Sequence, residues 1–160
     1  MYQALCTFLL MSFSLSFFGQ ELWLNEKDDF TGDVKKATTK EVIGDNGEKN
    51  GIKVSFGAMR VADTKAFFLN SSYDLGCAGG VGCFAMLKFS DDEVLKLEDQ
   101  ADVDCSDGAS SMFLVSAELL ARIEAKDAPV MIRLSQTDHY TDAKEVNAEL
   151  WNAHWAAVLE

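Results

Sequence analysis

The chain has 160 residues, with 26 acidic side chains against 14 lysines and arginines, and a formal net charge of −12. That surplus argues against partners held through phosphate charge, so neither nucleic acid nor an anionic membrane surface is expected. A hydrophobic fraction of 48% and a single proline exclude wholesale disorder and Pro-rich linkers, and leave a chain able to bury a core.

The opening stretch, MYQALCTFLLMSFSLSFFGQ, reads as a signal peptide over residues 1–19. Its apolar run from Ala4 to Phe18 is interrupted only by threonine and serine, and it is short for a membrane span. No lysine or arginine precedes the run, so only the terminal amine supplies positive charge there. Gly19 provides the small residue before cleavage. Cys6 lies ahead of most of the apolar run, whereas a lipid-attachment cysteine would follow it. The expected mature chain is therefore one domain, residues 20–160, secreted or periplasmic, with no membrane span once the leader is removed. The alternative is that this stretch forms an N-terminal strand or helix of the domain.

Leu22-Trp23-Leu24 reads as a first strand with Trp23 turned into the core, followed by a turn at Thr31-Gly32-Asp33. The β-branched stretch Ala37 to Ile43 suits a second strand. Gly44-Asp45-Asn46-Gly47 and Asn50-Gly51 are turn signals. Ile52 to Phe56 alternates apolar and polar residues, as a half-buried strand does, and Ala58 to Val61 extends it after a bulge at Gly57. Asp63-Thr64 turns the chain into a strand over Ala66 to Tyr73. The stretch Leu75 to Leu97 supplies a glycine-rich turn bracketed by Cys77 and Cys83, an apolar strand ending at Phe89, a turn at Ser90-Asp91-Asp92 and a returning strand. An acidic loop covers Glu98 to Ser106, and Ser110 to Val115 forms a further strand. Ser116 then caps a short helix reaching about Lys126, which Ala128-Pro129 ends. Val130 to Leu134 is a strand. Asp142 to Glu160 has helical period, with Val146, Leu150, Trp151, His154, Trp155, Val158 and Leu159 on one stripe. This stripe is expected to dock on the domain, the alternative being a partner-binding helix. The pattern predicts seven or eight strands in a mostly β, antiparallel sandwich or barrel-like single domain with one short helix and a C-terminal helix.

The segments KDDFTGDVKK, KFSDDEVLKLED, DGASSMFLV and VMIRLS resemble small uncharacterised exported proteins of bacteria. The resemblance spans most of the mature chain and contains no catalytic motif. It implies a small β-rich domain and brings no activity with it.

Removing the leader leaves Cys77, Cys83 and Cys105, of which two should pair in an oxidising compartment. The glycine-rich loop between them favours Cys77–Cys83, with a Cys105 pairing as the alternative. The loop GCAGGVG lacks the Lys-Ser/Thr of a phosphate loop and reads as a tight turn. Asp91, Asp92, Asp99, Asp102, Asp104 and Asp107 form an acidic region. Counted from Asp102 it departs from an EF-hand, because glycine falls one residue late and Phe113 stands where the bidentate glutamate belongs. A solvated acidic loop is expected; a calcium site built of loop oxygens is the alternative, and no other metal or cofactor is expected. His139, in Asp138-His139-Tyr140, is the candidate acid–base group, but no residue pattern supplies its nucleophile.

The functional expectation is a binding domain acting on a basic protein or a cell-envelope component, with Asp91, Asp92, Asp99, Asp102 and Asp104 steering the encounter. The alternatives are a small secreted hydrolase using His139, or a structural envelope protein that assembles through the Trp151/Trp155 helix or a sheet edge.

Overall fold

A computed structural model describes residues 21–49 and 51–160. The expected leader, and Asn50 of the Asn50-Gly51 turn, lie outside the described residues. Among the described residues ten strands run in chain order: β1 (Leu22–Lys27), β2 (Val34–Thr38), β3 (Glu41–Asp45), β4 (Lys53–Val61), β5 (Thr64–Ser71), β6 (Phe84–Lys88), β7 (Val94–Glu98), β8 (Ser111–Leu114), β9 (Met131–Ser135) and β10 (Tyr140–Lys144). Helix α1 (Ala117–Glu124) sits between β8 and β9, and helix α2 (Ala148–Leu159) follows β10.

Every strand pairing is antiparallel, and the sheet does not close. One arm is built on β4, the longest strand. β5 pairs along its whole length from Val54↔Ser71 to Val61↔Thr64, and β8 pairs outside β5. The other edge of β4 is shared end to end. β3 covers Lys53 to Phe56, β2 covers Met59 to Val61, and β1 pairs outside β2. The second arm runs β10-β9-β6-β7 and joins the first through one pair, Lys144↔Asp45.

The expected single strand over Ala37 to Ile43 is thus two strands with a break at Thr39-Lys40. The break is built by a side chain. The Thr38 hydroxyl accepts the Ala58 N–H at 2.9 Å, taking the place of a ladder carbonyl. Opposite it, Gly57 leaves room: a Cβ there would lie 3.0 Å from Lys40 Cγ and 3.3 Å from the Thr38 carbonyl. Gly57 does not interrupt β4, which passes through it as one strand of nine residues.

Period-two alternation gives each arm one apolar face. Val54, Phe56, Ala58, Phe67, Leu69 and Phe113 come from the first arm; Ala85, Leu87, Ile132, Leu134 and Ala143 come from the second, and all are buried in one cluster. Leu119 and Ile123 of α1 join it. Ser116 caps α1 as expected, its hydroxyl accepting the Leu119 N–H at 3.1 Å.

Trp23 does not enter the core and is 64% exposed. Leu22 and Leu24 take the half-buried side of β1, and alternation sends Trp23 to the other face of a strand paired only with β2. The helical period read from Asp142 does not begin there. Tyr140–Lys144 is strand β10, and Asn147 caps α2, its side chain accepting the Leu150 N–H at 3.0 Å. Thr141 and Ala143, buried at alternate positions, carry the strand signal that the downstream helical stripe obscured.

The stripe itself docks. Trp151, His154, Trp155 and Val158 are buried, and Phe56 meets Trp151 at 4.6 Å between ring centroids and the His154 ring edge-on at 5.1 Å. No helix among the described residues is long and apolar enough to cross a membrane.

Candidate functional site

Three connections gather at one end of the domain: the glycine-rich loop after β5, the acidic loop after β7 and the turn between β9 and β10. The disulfide joins the first two, linking Cys77 to Cys105 across a sequence separation of 28. The favoured Cys77–Cys83 pairing is not formed. Cys83 is a free, buried thiol at the foot of β6, its Sγ 3.3 Å from the Cys77 carbonyl. Burial raises its pKa, a backbone hydrogen bond from Gly80 opposes this, and nearby Asp99 adds a smaller upward push. The pairing follows from backbone geometry that spacing alone does not reveal. Ala78 and Asp104 exchange two backbone hydrogen bonds, at 2.9 and 3.2 Å, and this bridge brings the neighbouring Cys77 and Cys105 together.

Asp99 is the polar hub of this end. Its Oδ2 accepts the Gly79 N–H, and its Oδ1 accepts the N–H groups of Ala101 and Met112, each at 2.9 Å. One carboxylate therefore ties the glycine loop, the acidic loop and β8. Gly79 has φ +70°, and a Cβ on it would strike the Ala101 and Asp102 carbonyls, so this close approach requires glycine.

The remaining acidic candidates divide. Asp91 and Glu93 bind the Arg122 guanidinium, which also pairs with Asp127 and stacks 4.3 Å from the Phe89 centroid. Asp92 pairs with Lys88 at 2.8 Å. Asp91, Asp92 and Asp99 are thus engaged within the fold. Asp102, Asp104 and Asp107 are exposed on the stapled loop, Asp104 accepting the Ser106 N–H at 2.9 Å. Among the described residues no three histidine, cysteine or carboxylate side chains come together as a metal-binding group.

Beside this end lies an open groove of about 320 Å³ lined by Ile52, Tyr73, Leu75, Asp138, His139 and Tyr140. Sequence reasoning singled out His139 but not the two tyrosines, which are 57% and 59% exposed. The Leu75 carbonyl accepts the N–H groups of both Asp138 and His139, at 3.2 and 3.1 Å. The Thr137 hydroxyl accepts the Cys77 N–H at 2.8 Å. The segment after β5 is thereby fixed against the β9–β10 turn. His139 does stand beside a carboxylate, but among the described residues the groove lining contains no serine, threonine or cysteine to serve as a nucleophile. The groove's furnishing is aromatic and acidic: two phenol rings, aliphatic side chains, one imidazole and one carboxylate.

Comparison with family models, with curated proteins and with solved structures returns no match.

Proposed function

We propose that this chain is an exported binding domain that engages a basic protein or a basic component of the cell envelope through its disulfide-stapled end. The observation that carries the reading is the bracing of that end. A disulfide, a backbone bridge and the three-amide grip of Asp99 hold the loops, while Asp102, Asp104, Asp107, Val81 and Val103 point into solvent. Binding surfaces gain from loops ordered beforehand, because less entropy is lost on association. The net charge of −12 supplies long-range attraction to a cationic partner. Export is supported by the disulfide, which persists in oxidising compartments. Of the residues first expected to steer, Asp91, Asp92 and Asp99 give way to Asp107 beside Asp102 and Asp104, because the first three are already engaged.

The test uses immobilised poly-L-arginine, with association followed at rising ionic strength. The expected result is an association rate that falls steeply with salt and falls further in the Asp102→Asn/Asp104→Asn/Asp107→Asn variant. Association independent of salt, or unchanged in that variant, removes the proposal.

A further inference from the structure

We infer that the groove between Tyr73 and Tyr140 is a recognition pocket for a single cationic side chain, an arginine or lysine presented by the partner. This rests on the basic-partner reading and deepens it. Two exposed phenol rings and half-buried Ile52 offer flat and aliphatic surface suited to the methylene stem of such a side chain, above the buried Leu75. Cations also favour the faces of aromatic rings. Tyr140 already shows this preference: the Arg133 guanidinium lies 4.3 Å from its ring centroid. Arg133 is itself neutralised by Asp142, which accepts from its Nε at 2.6 Å and from its second terminal nitrogen at 2.8 Å. It therefore adds little repulsion toward an incoming cation.

The charge balance of the pocket points the same way. No lysine or arginine lines it, and Asp138 contributes a carboxylate that no ion pair engages among the described residues. Asp74, on the segment that forms one wall, is exposed as well.

The backbone beneath Asp138 is shaped to hold it there. Gly76 has φ +95°, and a Cβ at that position would collide with the Thr137 hydroxyl and lie 2.8 Å from Asp138 Oδ2. Glycine thus lets the carboxylate settle against the chain at the groove. The Asp138 N–H is anchored on Leu75, in the wall itself. A volume of about 320 Å³ has room for one long side chain.

The experiment is an NMR titration of the full domain with a short alternating glycine–arginine peptide, and with the same peptide carrying neutral citrulline. The arginine peptide should shift the amides of Leu75, Gly76, His139 and Tyr140, and the citrulline peptide should leave them in place. Tyr73→Ala and Asp138→Asn should each weaken binding by roughly five- to tenfold, as loss of one cation–π contact or one charge-assisted bond implies. Both side chains are exposed, so the fold should tolerate their loss. Arginine-dependent shifts confined to residues 99–109, unchanged by these two variants, would overturn the pocket and leave the basic-partner reading standing. If poly-L-arginine associates and the short peptide does not bind, the pocket is again refuted alone. If neither binds, both readings fall.

Discussion

His154 is where one side chain most directly connects sequence to behaviour. Its ring is fully buried, with Nδ1 2.6 Å from the Thr38 hydroxyl and Nε2 3.5 Å from Glu41 Oε2, too long for a good hydrogen bond. Thr38 already accepts the Ala58 N–H, and its hydroxyl shares a second hydrogen bond with Nδ1 whose direction follows the ring tautomer. Burial lowers the His154 pKa from 6.5 to about 4, the Glu41 carboxylate pulling weakly the other way. The unfolded chain therefore binds more protons than the native one between those values, and stability rises with pH across the interval. Above about 6.5 the ring is neutral in both states and costs nothing; as the pH falls toward about 4 the burial of an ionisable ring costs stability, by on the order of 3 kcal/mol. Urea denaturation across this interval should show the slope in the natural chain and a much flatter one in His154→Gln; equal slopes would assign the effect to carboxylates instead. The helical stripe made His154 legible as an inward residue, but Thr38 and Glu41 lie over a hundred positions away and carry no pattern that announces the network. Gly76 makes a related case. Its place in a glycine-rich turn was readable, while the Asp138 carboxylate it accommodates was not. Gly76→Ala should lower the melting temperature well beyond the usual effect of a surface substitution, because the residue combines positive φ with backbone-anchored neighbours.

Among the elements, the least sequence-legible features are those decided by contact between distant segments. The hairpins at β4–β5 and β6–β7 follow from local alternation and turn residues, and they stand where the pattern places them. The division of β2 from β3 depends on a hydroxyl replacing a carbonyl on β4, which no run of β-branched residues predicts. The disulfide is of the same kind. A Cys77–Cys83 bond would have closed a short glycine-rich turn. The actual bond spans 28 positions and holds the acidic loop against the glycine loop. Closing a loop of that length should contribute about 3.5 kcal/mol by restricting the unfolded chain. Reduction should therefore lower the denaturation midpoint substantially and speed amide exchange across residues 99–109. Alkylation before reduction should label Cys83 only slowly, since its thiol is buried with a raised pKa. Rapid labelling of the native oxidised protein, or a midpoint unmoved by reduction, would contradict this pairing as a stabilising feature.

At the scale of the whole molecule, the two arms meet through a single strand pair, so side chains must do much of the work of holding them together. Helix α2 packs on β2 and β4, and its tryptophans enter the cluster shared by both arms. Trp151 lies against Phe56 and Phe67, at 4.6 and 6.1 Å between centroids, and 6.0 Å from Trp155. Neither indole N–H has a hydrogen-bond partner among the described residues, so the two tryptophans hold the helix by packing and apolar burial, opposed by two unsatisfied donors, while His154 adds its hydrogen bond to Thr38. That arrangement favours α2 as part of the core over α2 as a free arm awaiting a partner. It also sets apart two tryptophans that look alike in the sequence. Trp23 sits between leucines on an edge strand and faces solvent, whereas Trp151 is buried completely. Trp151→Ala should destabilise by about 3–5 kcal/mol, the range for removing a large aromatic from a packed interior. Trp23→Ala should change stability by no more than about 0.5 kcal/mol, as an exposed site allows. Urea midpoints of the two variants decide the matter. A mild effect at Trp151 would return α2 to the role of a detachable interaction helix, and a large effect at Trp23 would mean that β1 is covered in solution by a surface outside the described residues.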